Sequence, residues 1–180
     1  MKLKLLGILI LILFQTNLNA QDYEETPKTF WGSVEAGFGG MIKFGKERES
    51  DKIGGMINLG LTAGYYFTPQ LSLGAGTGLY NFFYDDRLQM IPVFANIRYH
   101  VRKFSECYVF SSVGVSLFNF RNTTHGFLLE VGTGYKISIG KRISFNPMIG
   151  YNLNVHGSTP AGSSGYPSPF TWFIRGAFEF

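Results

Sequence analysis

Hydrophobic and polar side chains alternate along residues 127 to 139, which read FLLEVGTGYKISI. The odd-numbered positions are mostly apolar, and the even-numbered positions are mostly small or polar. At the 3.6-residue period of a helix the apolar residues would be scattered around the cylinder, so the period of two predicts a β-strand. A strand tilted by about 45° needs about 9–11 residues to cross a bilayer. The pattern therefore predicts a transmembrane β-strand.

The same alternation recurs in segments that end at turn residues. It predicts eight strands, at residues 31–44, 53–67, 71–84, 89–101, 107–120, 127–139, 143–155 and 170–180. Parallel neighbours would need crossovers of a dozen or more residues, whereas links 68–70, 102–106 and 140–142 are short, so the strands should be antiparallel. The predicted fold is an all-β, eight-stranded, antiparallel up-and-down transmembrane barrel, and its even strand number places both termini at one end.

Composition indicates which strand face points inward. One face collects glycine and serine residues, which suit the narrow lumen of an eight-stranded barrel. The opposite face is apolar, with aromatic residues near the strand ends, as expected for a surface in contact with lipid. Charged residues make up only 16% of the chain, against about 25% in ordinary domains, which also favours lipid contact.

The first 20 residues have the pattern of a secretory signal. Lys2 and Lys4 precede an apolar run, and Leu18-Asn19-Ala20 forms a cleavage site. We predict that residues 1–20 are a signal peptide, that residues 21–29 are a polar, disordered periplasmic arm, and that residues 30–180 form one outer-membrane barrel. Cleavage would leave Gln21 rather than cysteine at the terminus, so no lipoprotein anchor is expected.

Charge and cysteine content exclude some classes of protein. Without Lys2 and Lys4 the chain carries 14 basic and 12 acidic residues, which is not the strong basic excess typical of nucleic-acid-binding proteins. Cys107 is the only cysteine, so an intramolecular disulfide is impossible.

Three stretches carry a family resemblance: YYFTPQLSLGAGTGLY (65–80), IPVFANIRYHV (91–101) and the closing FTWFIRGAFEF (170–180). They resemble the small outer-membrane β-barrels, similar to the transmembrane domain of outer-membrane protein A and to the porin-family barrels of Bacteroidetes-type bacteria. The resemblance covers the mature chain and implies an outer-membrane monomer that contacts lipid. The last strand resembles the signal read by the barrel assembly machinery, carried by Trp172, Ile174, Phe178 and Phe180, although Gly176 interrupts the series.

Strand parity directs charged residues of both signs into the predicted lumen. Buried charges are costly unless they are paired. We therefore expect a polar network in which three acids meet three bases, namely Glu35, Glu130 and Glu179 with Arg98, Lys136 and Arg175. Such a network could fill the lumen as a structural element, or it could line a gated pore.

Enzyme motifs are nearly absent. His156-Gly157-Ser158 resembles in outline the His-x-Ser element of outer-membrane lipid A deacylases, but no acidic residue follows before Phe170. The three histidines lack metal-ligand spacing, so no catalytic, cofactor or metal residues are expected. The sequence favours a non-enzymatic envelope barrel that binds an unspecified ligand through its loops. A narrow channel for small solutes and a lipid A-modifying enzyme are the alternatives.

Overall fold

The computed structural model describes residues 30–41, 54–83, 88–118, 124–140, 142–156 and 170–180. The predicted signal peptide and arm lie outside these ranges. No helix in the described ranges is long and apolar enough to cross a membrane. The strands are β1 (Phe30–Met41), β2 (Gly55–Tyr66), β3 (Leu71–Phe83), β4 (Leu88–Val101), β5 (Phe104–Phe118), β6 (Thr124–Tyr135), β7 (Ile137–Ser138), β8 (Ser144–His156) and β9 (Phe170–Glu179).

The described strands form one closed antiparallel sheet. Each strand from β1 to β6 pairs with the next, and β8 pairs with β6, β7 and β9. The barrel closes between the first and last strands, where Val34 lies opposite Phe178. Two backbone hydrogen bonds of 2.9 Å between Gly32 and Phe180 extend this seam. Closure leaves no unpaired sheet edge, which a barrel in hydrocarbon requires.

β6 and β7 are two parts of one strand, so the barrel wall has eight full-length strands, which we call staves. Gly134 faces Met148 and Ile137 faces Phe145, which is the same register on both sides of the break. At the break Tyr135 comes opposite Pro147, which has no N–H to donate. The amide of Lys136 bonds instead to the carbonyl of Glu106 on the other neighbouring strand, at 2.7 Å. The alternation predicted an uninterrupted strand here, and proline accounts for the difference.

Two strands begin three residues earlier than predicted, and the other strand starts differ by at most two residues. β5 begins at Phe104 rather than Cys107, so its turn with β4 contains only residues 102 and 103. A register shift at His100 and Val101 absorbs the extra residues of this hairpin. β6 begins at Thr124, which lies inside the segment predicted to be a loop.

Both ends of the described chain lie at the end of the barrel that carries the short connections, which we call the short-turn end. Phe30 starts β1 opposite Tyr65, next to the turn of residues 67–70. The turn of residues 102–103 and the paired ends of β7 and β8, where Ser138 lies opposite Ser144, are at this same end because consecutive staves alternate in direction. This agrees with the arrangement expected from an even number of staves.

The outer face is the apolar one. Val115 is 58% exposed and Ile149 is 54% exposed, although both lie in mid-strand. Polar groups on this face bond to the backbone: the hydroxyl of Thr77 donates to the carbonyl of Pro92 at 2.8 Å, and that of Thr133 donates to Tyr108 at 2.9 Å. An apolar surface whose hydroxyls are satisfied internally suits hydrocarbon rather than water.

The lumen contains large rings as well as the predicted small residues. A methyl group at Gly76 would come within 2.5 Å of the Phe94 ring, and one at Gly134 would collide with the Tyr108 ring. Glycine is therefore needed at these two positions, because the aromatic ring of a neighbouring strand lies directly against the backbone there. The expectation of a lumen filled mainly by small residues and a few polar groups was incomplete in this respect.

Candidate functional site

The six ionisable residues of the predicted network come from four staves and point into the lumen. β1 supplies Glu35, β4 supplies Arg98, and β9 supplies both Arg175 and Glu179. The list is completed by Glu130 from β6 and Lys136 at the break between β6 and β7. Alternation places each side chain inside, but only closure of the barrel brings them within contact distance.

The half of the network at the short-turn end is centred on Glu179. Its carboxylate receives Lys136 Nζ at 2.5 Å and Arg98 Nη1 at 2.9 Å. The amide of Asn146 donates a further hydrogen bond of 3.0 Å. Arg98 continues the network through Nη2, which lies 3.5 Å from Glu35. This half therefore alternates cation, acid, cation and acid.

The deeper half runs from Glu35 to Glu130 through Arg175. Arg175 Nη1 lies 3.1 Å from Glu35, and its Nη2 lies 3.0 Å from Glu130. Glu130 also accepts hydrogen bonds from the Tyr80 hydroxyl at 2.8 Å and the Asn152 amide at 2.9 Å. The Asn152 oxygen in turn accepts a short hydrogen bond from Asn154. The complete network is one unbroken chain of ion pairs, continued by neutral amides.

Burial makes this pairing energetically necessary. Glu130 has no exposed surface, and the two arginine side chains are 3% exposed. Three acids face three cations, of which Lys136 is partly exposed at 32%, so the network as a whole has no net charge. Removing one partner of such a pair typically costs 3–5 kcal/mol, because the other charge stays in a low-dielectric site.

Aromatic rings cover the faces of both guanidinium groups. The Arg98 guanidinium carbon lies 3.8 Å from the centre of the Trp31 ring, and that of Arg175 lies 4.4 Å from the centre of the Phe173 ring. The electron-rich face of an aromatic ring attracts a cation, so these contacts stabilise each guanidinium group at its place in the lumen. Sequence reasoning did not assign these rings or Tyr80 to the network, although strand parity places them on the lumen face.

Little free volume remains between the two arginines in the middle of the network. Between the two arginines lies a cavity of about 10 Å³, bounded by Thr62, Asn96 and Ser112 among others. That is close to the minimum space that one water molecule requires. In the described part of the lumen, side chains rather than solvent therefore occupy the middle of the barrel.

The remaining predicted positions lie apart from this network. Trp172, Ile174 and Phe178 lie on the exposed outer face, and Phe180 ends the chain with 65% exposure. His100 lies near the short-turn end, where Nδ1 is 2.9 Å from the Ser105 carbonyl. The predicted His-x-Ser element lies outside the description, because the His156 side chain and residues 157–158 are not described.

Comparison with solved structures finds small barrels of bacterial outer membranes. Neisserial surface protein A has a TM-score of 0.57 at 12% identity, with 86% of this chain and 98% of that protein covered. The outer-membrane protein AlkL, solved in lipid bilayers, has a TM-score of 0.52 at 12% identity, with coverage of 91% and 95%. The fold is that of the eight-stranded outer-membrane β-barrels.

A third structure gives the same result. Ail, the attachment invasion locus protein of Yersinia pestis, has a TM-score of 0.51 at 10% identity, with 83% of this chain and 98% of Ail covered. No family model and no curated protein matches the sequence. Identities this low establish the fold alone, so the narrower resemblance to outer-membrane protein A and Bacteroidetes-type barrels stays a prediction.

Proposed function

We propose that this chain is a non-enzymatic outer-membrane barrel whose lumen is closed by its own side chains. Its role is to support the envelope or to bind a ligand through the connections at the end opposite the short turns. The sequence assigns residues 45–52, 121–125 and 157–169 to those connections, although Thr124 already belongs to β6. The first of the three is charged, and the last is rich in Gly, Ser and Pro. Their ligand is not specified by their composition.

The observation that carries the proposal is the filled lumen. Ion pairs run from Lys136 to Glu130, and the cavity beside them is only about 10 Å³. Hydrated ions need a continuous aqueous path, and eight staves leave an interior just wide enough to be filled by side chains. This geometry supports a structural role for the network, since opening a path would require buried pairs to separate.

The apolar outer face supports placement in the outer membrane, with lipid as its first partner. The face is continuous around the described staves, and the exposed residues of β9 fit the expected recognition by the barrel assembly machinery. In this arrangement the short turns and both termini face the periplasm. The same argument favours a monomer, because closure leaves no strand edge for a second chain.

Conductance and lipid chemistry test the proposal together. The refolded protein should give no steady single-channel current in planar bilayers. It should also leave lipid A unchanged in mass when the two are incubated together and the lipid is measured by mass spectrometry. Steady currents would support the alternative of a narrow solute channel, and a lipid A product that has lost an acyl chain would support the deacylase alternative.

A further inference from the structure

The short-turn end contains a recess with two adjoining lobes, which we call the vestibule. The larger lobe has a volume of about 410 Å³ and the smaller about 310 Å³. Tyr66, Lys136 and Ser138 line both lobes, so the two meet at these side chains. Recesses of roughly 300–1,000 Å³ are typical of small-molecule sites. Lys136 and Glu179 of the network form part of the wall of the larger lobe, and the other ion pairs lie deeper in the lumen.

Each lobe presents a charge of opposite sign. Arg142 lines the larger lobe and Glu106 lines the smaller, and both residues are exposed. Among the described residues neither side chain takes part in an ion pair. Lys136 lies between them, but its ammonium is already held by Glu179 at 2.5 Å. The vestibule therefore offers one cation and one anion that have no described partner.

Strand register gives the spacing of these two charges. Glu106 lies beside Lys136, Ser138 is two residues further along the strand of Lys136, and Ser138 lies opposite Ser144 on the next strand. Arg142 is two residues beyond Ser144 in the same direction. Glu106 and Arg142 are therefore four residues apart along the strands and two strands apart across them. With about 3.4 Å per residue and about 4.8 Å between strands, the two Cα atoms are roughly 17 Å apart. Their long side chains shorten the gap between the charges. A peptide of two or three residues, at about 3.3–3.6 Å per residue, spans what remains.

We propose that the vestibule binds short zwitterionic peptides. The carboxylate of the peptide would pair with Arg142 and its ammonium with Glu106. The Ser138 hydroxyl, where the lobes meet, would bond to a peptide group between the two ends, and the Tyr66 hydroxyl, which donates to Glu179 at 3.5 Å, would accept a bond from a peptide N–H. The Trp31 and Phe180 rings, which line the larger lobe, provide an apolar wall for a side chain near the carboxyl end.

Triglycine is the simplest probe, because it carries both charges and no side chain. Triglycine is titrated into the refolded protein in lipid nanodiscs, and the NMR chemical shifts of the protein should change in a saturable way. N-acetyl-triglycine amide has the same backbone without the charges and should bind at least tenfold more weakly. Absence of saturable triglycine binding, or equal binding of the uncharged peptide, would overturn the proposal.

Two variants locate the site, and a third is their matched control. Arg142→Gln and Glu106→Gln should each weaken triglycine binding by roughly fivefold, the effect expected of one exposed ion pair. Arg102→Gln removes an exposed cation from the neighbouring turn, which does not line the vestibule, and should leave binding unchanged. All three residues are exposed, so the variants should fold. Equal effects of the three substitutions would show that binding does not occur in the vestibule.

Discussion

The contact between Arg175 and Glu130 allows the structural role of the network to be measured. Arg175→Met removes the cation that bridges two buried acids, and Glu130 then loses its ion-pair partner among the described residues. The expected cost is about 3–5 kcal/mol of unfolding free energy. Glu130→Gln keeps an acceptor for Tyr80 and Asn152 and leaves Arg175 paired with Glu35, so we expect a smaller cost of about 1–3 kcal/mol.

The double substitution separates direct contact from general damage. Once Arg175 is absent, the unpaired charge of Glu130 is destabilising, and Glu130→Gln removes it. The double substitution Arg175→Met with Glu130→Gln should therefore lower the unfolding free energy by about 0.5–3 kcal/mol less than the sum of the single changes. Arg102→Gln with Glu130→Gln is the control, because Arg102 lies in the exposed turn after β4 and belongs to none of the ion pairs of the network. Their effects should add within about 0.5 kcal/mol.

Urea unfolding of the protein in lipid vesicles, followed by tryptophan fluorescence, measures these differences. With a slope of roughly 1–3 kcal/mol per molar, a loss of about 4 kcal/mol lowers the midpoint by roughly 2 M. Additive losses in the Arg175 and Glu130 cycle would refute the direct contact. Unchanged stability together with steady wild-type currents whose ion selectivity alters on substitution would refute the structural role itself.

Three further predictions concern the barrel wall and its orientation. Val131→Arg places a charge on the outer face and should cost about 2–4 kcal/mol if the site lies near the bilayer midplane, measured by refolding yield into vesicles. Gly134→Ala should lower the thermal midpoint because its methyl group would collide with a buried ring, whereas Gly140→Ala, with no atom within 4 Å, should not. In a variant lacking the native cysteine, an impermeant thiol reagent should label Cys at Ser163 on intact cells but not Cys at Gln70. Equal labelling of the two sites would contradict the orientation.

Much of the barrel follows from the sequence because alternation is a local property. A period of two fixes which side chains share a face, and short links fix antiparallel neighbours. Outward positions such as Val115, and inward positions such as Glu130, could therefore be assigned without coordinates. The prediction was wrong where a local exception broke the repeat, at Pro147 and at the register shift near His100, because a periodic pattern does not record a missing donor or an extra residue.

The partners of the lumen residues were decided by tertiary structure. The sequence supplied three acids and three bases on one face, but Glu35 and Arg175 are 140 positions apart and meet only because the first and last strands pair. The same closure places the Tyr108 ring against Gly134 and opens the vestibule between Glu106 and Arg142. Alternation determines the direction of a side chain, whereas its partner depends on the register and curvature of the closed sheet.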